Sequence, residues 1–569
     1  MNTDKEHIQH LAAICKAKGV SHAIISPGSR CAPLIIAFNQ MDGIECISVI
    51  DERSAGFVAL GIAQQSKQVV ALICTSGSAT LNYAPALAEA FYQKVPLLVL
   101  SADRPNEWID QGENQSINQF EIYKNYIKKS YQLPVHVETE KDLWYCNRIV
   151  AEALNTCLYP DFGPVHINIP LREPLYNLED TVVKHTKIID FAKPVYALDT
   201  AEMKNLAEEW AGFDKILIVV GGLKERDTDL ERILQKFSEQ SNVVILKESI
   251  SNVYGENFID QVDANIEAIH ALKSHKYVPQ LVLTLGAAVV SKKLKFWLRE
   301  QKDLNHWHIT SSFEHWDIFQ GLSKVLQHDA QSFFERMYDS IAERESTYLK
   351  DWKMLSVSAE RIHSDYLDKQ IFTDFKVFEF LFKNLPQGSN VHLGNSTPVR
   401  YANLLNIEEK KNLSINSNRG VSGIDGVMST AVGASIAKPN HLCFCITGDV
   451  AALYDSNALM SAHLSPQLKL IIINNQGGNI FKIIPGPHKL TELEQFFETK
   501  HAYNFEHLAN MHSCAYFTAS NLEELRIKFT NFIQEANESA ILEIRTNGDT
   551  SAQSLRAYFE YLKQEINLN

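Results

Sequence analysis

The chain has no C-x-x-C pair. Its nine cysteines, at 15, 31, 46, 74, 146, 157, 443, 445 and 514, are odd in number and scattered, which excludes a disulfide framework and a zinc-binding pattern. Buried, reduced thiols in a cytoplasmic protein are expected. No apolar run approaches the roughly 18 residues that cross a bilayer, so no membrane partner is expected. The start, "MNTDKEHIQHLAAICKAKG", lacks the continuous apolar centre of a signal peptide, and Ile8, Leu11, Ala12 and Cys15 instead mark one face of a helix. Positive charge is in short supply. Lys and Arg number 54 against 68 Asp and Glu, a net charge of -14, and that field repels nucleic acid and anionic lipid. Any anion site must therefore be a local cluster of cations. Short-period repeats, low-complexity tracts and a full G-x-G-x-x-G are also missing.

What is present is an ordinary globular composition, 45% hydrophobic and 21% charged, in 569 residues. At roughly 100–200 residues per domain, that length predicts about three domains. Up to about residue 180, "HAIIS", "ECISVI", "VVALICTSG", "PLLVLSADRP" and "PVHINIP" alternate with helix-length segments. Short, unalternating apolar strands of this kind indicate a parallel sheet covered on both faces, whose ligands bind beyond the strands' carboxyl ends. A polar stretch, Asp180–Asp199, reads as a linker. A second α/β unit begins at "KILIVVGGLKE", where Gly221-Gly222 is an incomplete nucleotide turn. After a helix-rich stretch from about 330 to 385, a third unit follows with "NVHLGNS", "LSINSNRG", "HLCFCITGD", "LKLIIINNQGG" and "SAILEIRTN". The expected organisation is α/β throughout, three domains with mostly parallel central sheets, at 1–185, 186–355 and 356–569.

Asp449 follows one apolar strand and Asn474-Asn475 the next. Asp449, Asn475 and the carbonyl of Gly477 are hard oxygen donors that suit Mg²⁺ holding a ligand's phosphates, with Gly478 and the following helix start offering backbone N–H groups. Helix caps and turns use the same residues. Likewise Glu52, just past "ECISVI", reads either as a helix-start charge or as an isolated functional carboxylate.

The span from Gly448-Asp449 to Asn474-Asn475 resembles the thiamine-diphosphate signature, with Val450 where most of that superfamily has glycine. The surrounding text is closer to one family. "SPGSRCAPL", "DERSAGFVALG", "TSGSATLNYAPALAEA", "VLSADRPNEWIDQGENQSINQ", "GPVHINIPLREPLY", "GNSTPVR", "SNRGVSGIDGVMSTAVG", "GDVAALYDSNAL" and "NNQGGNIF" resemble the motifs of the 2-succinyl-5-enolpyruvyl-6-hydroxy-3-cyclohexene-1-carboxylate synthases of menaquinone biosynthesis. The resemblance runs from about residue 24 to 481, dense in the first and third domains and thin in the middle one.

This resemblance implies a thiamine-diphosphate-binding fold, with a pyrimidine-binding first domain and a diphosphate-binding third. It also implies decarboxylation of 2-oxoglutarate and 1,4-addition of the resulting carbanion equivalent to isochorismate. Glu52 would be the catalytic carboxylate on the cofactor's aminopyrimidine. Asp449, Asn475 and Gly477 would hold Mg²⁺ or Mn²⁺, Gly478 the diphosphate, and Ile424 the bent cofactor. Both substrates are dicarboxylates, for which guanidinium forks are suited; by motif the family's substrate positions fall on Arg30, Arg104, Arg400 and Arg419. Ser29, Asn114, Gln115 and Ser396 would add hydrogen bonds, and Ile480 and Phe481 an apolar wall. Lys292 is the middle domain's candidate; Lys293 and Lys295 stand beside it, and a solvated lysine face reads equally well. No histidine is among these candidate residues. The superfamily builds its site between two subunits, so a homodimer is the minimum assembly expected and a homotetramer is compatible. The alternative is another thiamine-diphosphate-dependent 2-oxoacid decarboxylase or carboligase.

Overall fold

A computed structural model describes every residue except 181–185, 194, 195, 313, 408, 462, 536 and 569. Three parallel sheets form the frame. In the first, the spatial order is Glu45–Ser48, His22–Ile25, Val70–Cys74, Leu97–Asp103, Val165–Pro170 and Ser130–Gln132. In the second it is Val243–Lys247, Ile216–Val220, Leu281–Leu285, Asn305–Thr310 and Leu322–Gln327. The third runs Ser414–Ser417, Asn390–Leu393, Cys443–Gly448, Leu468–Asn474, Ala540–Arg545 and Ala515–Ala519. Ser130–Gln132, too short to show a pattern, is the one strand of the first sheet that the apolar runs did not reveal. The expected linker lies partly outside the described residues, and its end, Asp199, caps the helix Thr200–Trp210.

Period-two alternation explains why these strands are apolar throughout. Ile24, Leu72 and Val99 enter one core while Ile25, Ile73 and Leu100 enter another, so each strand is buried on both faces. The third sheet divides similarly, with Leu470 and Ile472 sharing a core with the first domain and Ile471 and Ile473 facing the other way. Between the two sheets lie helices Glu52–Ser66 and Val427–Ala437. They meet at backbone contact: a Cβ on Gly61 would stand 2.0 Å from the Thr430 carbonyl, and one on Gly433 2.0 Å from that of Val58. Only glycine allows this approach. In the middle domain Gly221-Gly222 meets a similar need, since a Cβ on Gly221 would lie 1.8 Å from the Ala287 carbonyl and Ala287 N–H donates to Gly222 O. Close packing of two loops accounts for that pair.

Candidate functional site

The expected residues gather at the carboxyl ends of the first and third sheets, the position from which parallel sheets present ligands. Gly448 stands beside Ile473 in the parallel register, so Asp449 leaves its strand next to Asn474. Asp449 is buried. Its Oδ1 accepts Val450 N–H at 2.7 Å and its Oδ2 accepts Gly477 N–H at 3.0 Å. The two asparagines are then treated differently. Asn474 donates to Glu543 at 2.7 Å and to the Tyr503 carbonyl at 3.1 Å, while its Oδ1 accepts Gln476 N–H; it shapes the turn. Asn475 donates to Asp374 at 2.9 Å, and its buried Oδ1 has no partner.

An orphaned buried carbonyl costs free energy unless something fills its place. Both polar atoms of Asn479 are likewise buried without partners. Among the described residues no cluster of three or more His, Cys, Asp or Glu could hold a metal, so a soft-metal site is not formed here. A carboxylate, an amide oxygen and a main-chain carbonyl are the donors that suit Mg²⁺ shared with a phosphate, and the residues present fit that ion. The Gly477 carbonyl also accepts Asn479 N–H at 2.9 Å, and Gly478 N–H donates to the Glu498 carbonyl at 2.7 Å. A diphosphate taking the Gly478 N–H must displace that carbonyl.

Asp374 was not legible as a site residue, because "TDFKVFEF" reads as an ordinary helix start. Here it is fully buried. It accepts from Thr546 at 2.5 Å and Ser551 at 3.1 Å as well as from Asn475. Burial raises its carboxyl above the usual range, against those three donors, and the neighbouring Asp449 raises it further. Glu543, in the apolar strand "AILEIR", gave a visible signal that sequence reading passed over.

Glu52 is half-buried at the start of its helix. The cap is Asp51, which accepts from Arg53 N–H and from the Ser54 and Asn457 side chains. Glu52 therefore has no capping duty, and among the described residues one hydrogen bond, from Asn82 at 3.2 Å, holds its carboxylate. Among the described residues no hydrogen bond or ion pair joins Glu52 to Asp449, Asn475 or Ile424.

The arginines form two groups. In the first domain, buried Arg30 donates to the Leu171 carbonyl and Glu173, while Arg104 donates to the Asn114 carbonyl at 2.8 Å and pairs with Glu113. Ser29, Asn114 and Gln115 are exposed on the same end of the sheet. In the third domain, Arg400 donates to the Ser396 carbonyl and Arg419 to Asn395 Oδ1 at 2.9 Å. Burial lowers both guanidiniums, and Arg419 lowers Arg400 further. The buried Nε of Arg419 has no partner. Asp263 acts against this lowering on Arg400, and Glu248 and Glu89 on Arg419; two half-buried cations with an unused N–H are a candidate anion site.

Asn395, which sequence reading missed, ties the loop 418–423 together by donating to the carbonyls of Asn418 and Gly423, and so fixes the backbone just before half-buried Ile424. Glu89 of the first domain accepts N–H from Gly420 and Val421. Of the three lysines, Lys292 is exposed and Lys293 pairs with Glu267. Lys295 is half-buried, lowered first by burial, and close enough to Glu248 and Arg419 to feel both. Ile480 and Phe481 follow the turn, with Phe481 edge-on to Phe497 at 5.5 Å.

Comparison with known proteins gives matches at both ends of the chain. Residues 6–122 match the family described as thiamine pyrophosphate enzyme, N-terminal TPP binding domain, and residues 396–544 its C-terminal TPP binding domain, so the chain is a thiamine pyrophosphate enzyme. Over 559 residues it is 38% identical to the 2-succinyl-5-enolpyruvyl-6-hydroxy-3-cyclohexene-1-carboxylate synthase of Flavobacterium johnsoniae, covering 97% of this chain and 98% of the other. Synthases of the same name from Flavobacterium psychrophilum and Porphyromonas gingivalis are 39% and 34% identical, over 97% and 99% of this chain and 98% of each relative. The chain belongs to the 2-succinyl-5-enolpyruvyl-6-hydroxy-3-cyclohexene-1-carboxylate synthase family, the carbon–carbon bond-forming, thiamine-diphosphate-dependent transferases of menaquinone biosynthesis.

Proposed function

We propose that this enzyme decarboxylates 2-oxoglutarate and adds the four-carbon remainder to isochorismate by 1,4-addition, releasing carbon dioxide. The observation that carries the reading is the pair Arg400 and Arg419, both half-buried and near enough for Arg419 to lower Arg400, with the Arg419 Nε–H unused among the described residues. Asp263 near Arg400, and Glu248 and Glu89 near Arg419, offset part of their charge, and the unused N–H is the donor that a substrate carboxylate would take. When bound, thiamine diphosphate supplies the nucleophilic carbon and the electron sink for loss of carbon dioxide. Asp449, Asn475 Oδ1 and the Gly477 carbonyl hold Mg²⁺ or Mn²⁺. Glu52 holds a proton against the aminopyrimidine. Arg30 and Arg104, with Ser29, Asn114 and Gln115, take one set of substrate carboxylates, and Arg400 and Arg419, with Ser396 and a lysine of the run 292–295, take the other. Ile424 sets the cofactor's bend, and Ile480, Phe481 and Phe497 keep water from the reacting carbon.

A homodimer would complete the site by setting Glu52 of one subunit against the Asp449 turn of its partner. The surface around Glu52 favours this: Ile50 is 62% exposed, Leu81 49% and Tyr454 55%, with Tyr454 lying under Arg53, and an apolar patch of this kind marks an interaction face. The cysteines are unpaired and mostly buried, as befits a reducing cytoplasm. The test is incubation with Mg²⁺, thiamine diphosphate, 2-oxoglutarate and isochorismate, following isochorismate loss and product mass. Absence of an isochorismate-dependent product sinks the proposal. Steady carbon dioxide release indifferent to isochorismate identifies a plain 2-oxoacid decarboxylase instead.

A further inference from the structure

None of the candidate site residues is a histidine, yet the fold brings one to the turn that carries Asp449. His501 Nε2 lies 3.2 Å from Asp449 Oδ2, with the imidazole side chain 8% exposed. Its position is fixed from three sides. His501 N–H donates to the Gln476 carbonyl, the ring stacks on Tyr503 at 5.3 Å, and the Tyr503 carbonyl accepts from Asn474. The ring is thus tied to the Asn474–Gln476 turn itself.

The tautomer follows from its neighbours. Tyr503 N–H donates to Nδ1 at 3.3 Å, so Nδ1 carries a lone pair and the neutral ring's proton sits on Nε2. That Nε2–H has no hydrogen-bond partner despite its closeness to Asp449, because the carboxylate lies off the N–H direction. A buried donor left unsatisfied is costly, and the same turn carries an orphaned acceptor, Asn475 Oδ1, one residue before the Gln476 carbonyl that His501 N–H reaches. The Nε2–H also argues against His501 as a metal ligand, which needs a lone pair on Nε2.

We infer that His501 is a cofactor-binding residue whose Nε2–H donates to an anionic oxygen of the diphosphate held at Asp449 and Asn475. The inference rests on the thiamine-diphosphate reading above. It assigns the segment after the turn a direct role, since the same N–H would repel a bare cation and welcomes only the anion that accompanies it.

The test is binding of thiamine diphosphate to the full-length enzyme in excess Mg²⁺, measured by calorimetry, with ³¹P NMR of the bound diphosphate. His501→Ala should weaken binding roughly tenfold to a hundredfold, the range for one hydrogen bond to a charged group, and shift the bound ³¹P resonances. His501→Gln, which restores an N–H donor, should recover part of the affinity. Equal binding by His501→Ala and the wild type, with unchanged ³¹P shifts, overturns the inference and leaves the function untouched. A Gln variant as weak as the Ala variant also overturns it, assigning His501 to packing. Failure of the wild type to bind thiamine diphosphate would instead remove the cofactor reading itself.

Discussion

The first and third domains are built on one plan. Numbered in chain order, the strands of each sheet lie 2-1-3-4-6-5, all parallel. Their carboxyl ends have nonetheless become chemically opposite. The third domain saturates its acid: Asp449 accepts two backbone N–H groups, and a second buried acid, Asp374, pins the adjoining amide. The first domain leaves Glu52 half-buried after an edge strand, with one side-chain donor and exposed apolar residues around it. A site finished within its own domain needs rigid internal partners. A site finished by another subunit needs an unspent group on a surface that can be covered, and the two domains differ in this respect.

The sharpest way to break the comparison is Glu52→Gln. If Glu52 is held unspent for proton work, its loss should lower turnover by about 10²–10⁴-fold, the usual worth of a positioned acid–base group. Circular dichroism and the mass in solution should not change, because Asp51, not Glu52, caps the helix. Turnover near the wild-type rate would make Glu52 a surface charge and erase the contrast.

The seam between the domains offers the next test. Asp455 of the third domain is fully buried, accepts from Ser429 N–H and Oγ–H at 2.8 and 2.7 Å, and faces Arg53 of the first at 3.9 Å. Burial pushes its carboxyl up to about 7 against those groups. A carboxyl raised on folding binds its proton more tightly in the folded state, so its contribution is full below the ordinary carboxylate range near 4 and is lost as pH rises to about 7. At about 1.4 kcal/mol per unit, the change approaches ~4 kcal/mol. Denaturant unfolding at pH 5 and pH 8 should show the wild type losing more stability over that interval than Asp455→Asn. Parallel losses would mean that Asp455 is ionised throughout and pairs with Arg53.

The legibility of each half follows the same division. The parallel sheets were visible because strands buried on both faces are apolar at every position, and Asp449, Asn475 and Glu52 because each breaks such a run at its end. Ser130–Gln132 is too short to carry a pattern. Asp374, Asn395 and His501 were hidden for a different reason: each acts by reaching the turns from elsewhere in the chain, Asp374 across 101 positions to Asn475. Local sequence shows them as a helix start, a turn residue and a loop histidine. The lysine run was visible, but that Lys295 is the one near Arg419 depends on which side of one helix meets it, and a three-lysine run does not specify that.

Asp374 supplies the smallest and most discriminating prediction. It holds the Asn475 amide nitrogen and leaves the oxygen for the proposed metal. In Asp374→Asn the side chain retains an oxygen for Thr546 and Ser551, but the nitrogen it sets against Asn475 Nδ2 is a second donor. Asn475 must then turn or lose its partner. Supporting groups of this kind are worth roughly 10–100-fold in metal affinity, so the Mg²⁺ concentration that half-activates the enzyme should rise by that factor, with full rate restored at high Mg²⁺. A fall in maximal rate that Mg²⁺ does not rescue would mean that Asp374 acts beyond Asn475. An unchanged Mg²⁺ requirement would mean that the third domain's turn holds its shape without internal support, and the contrast with Glu52 would then rest on exposure alone.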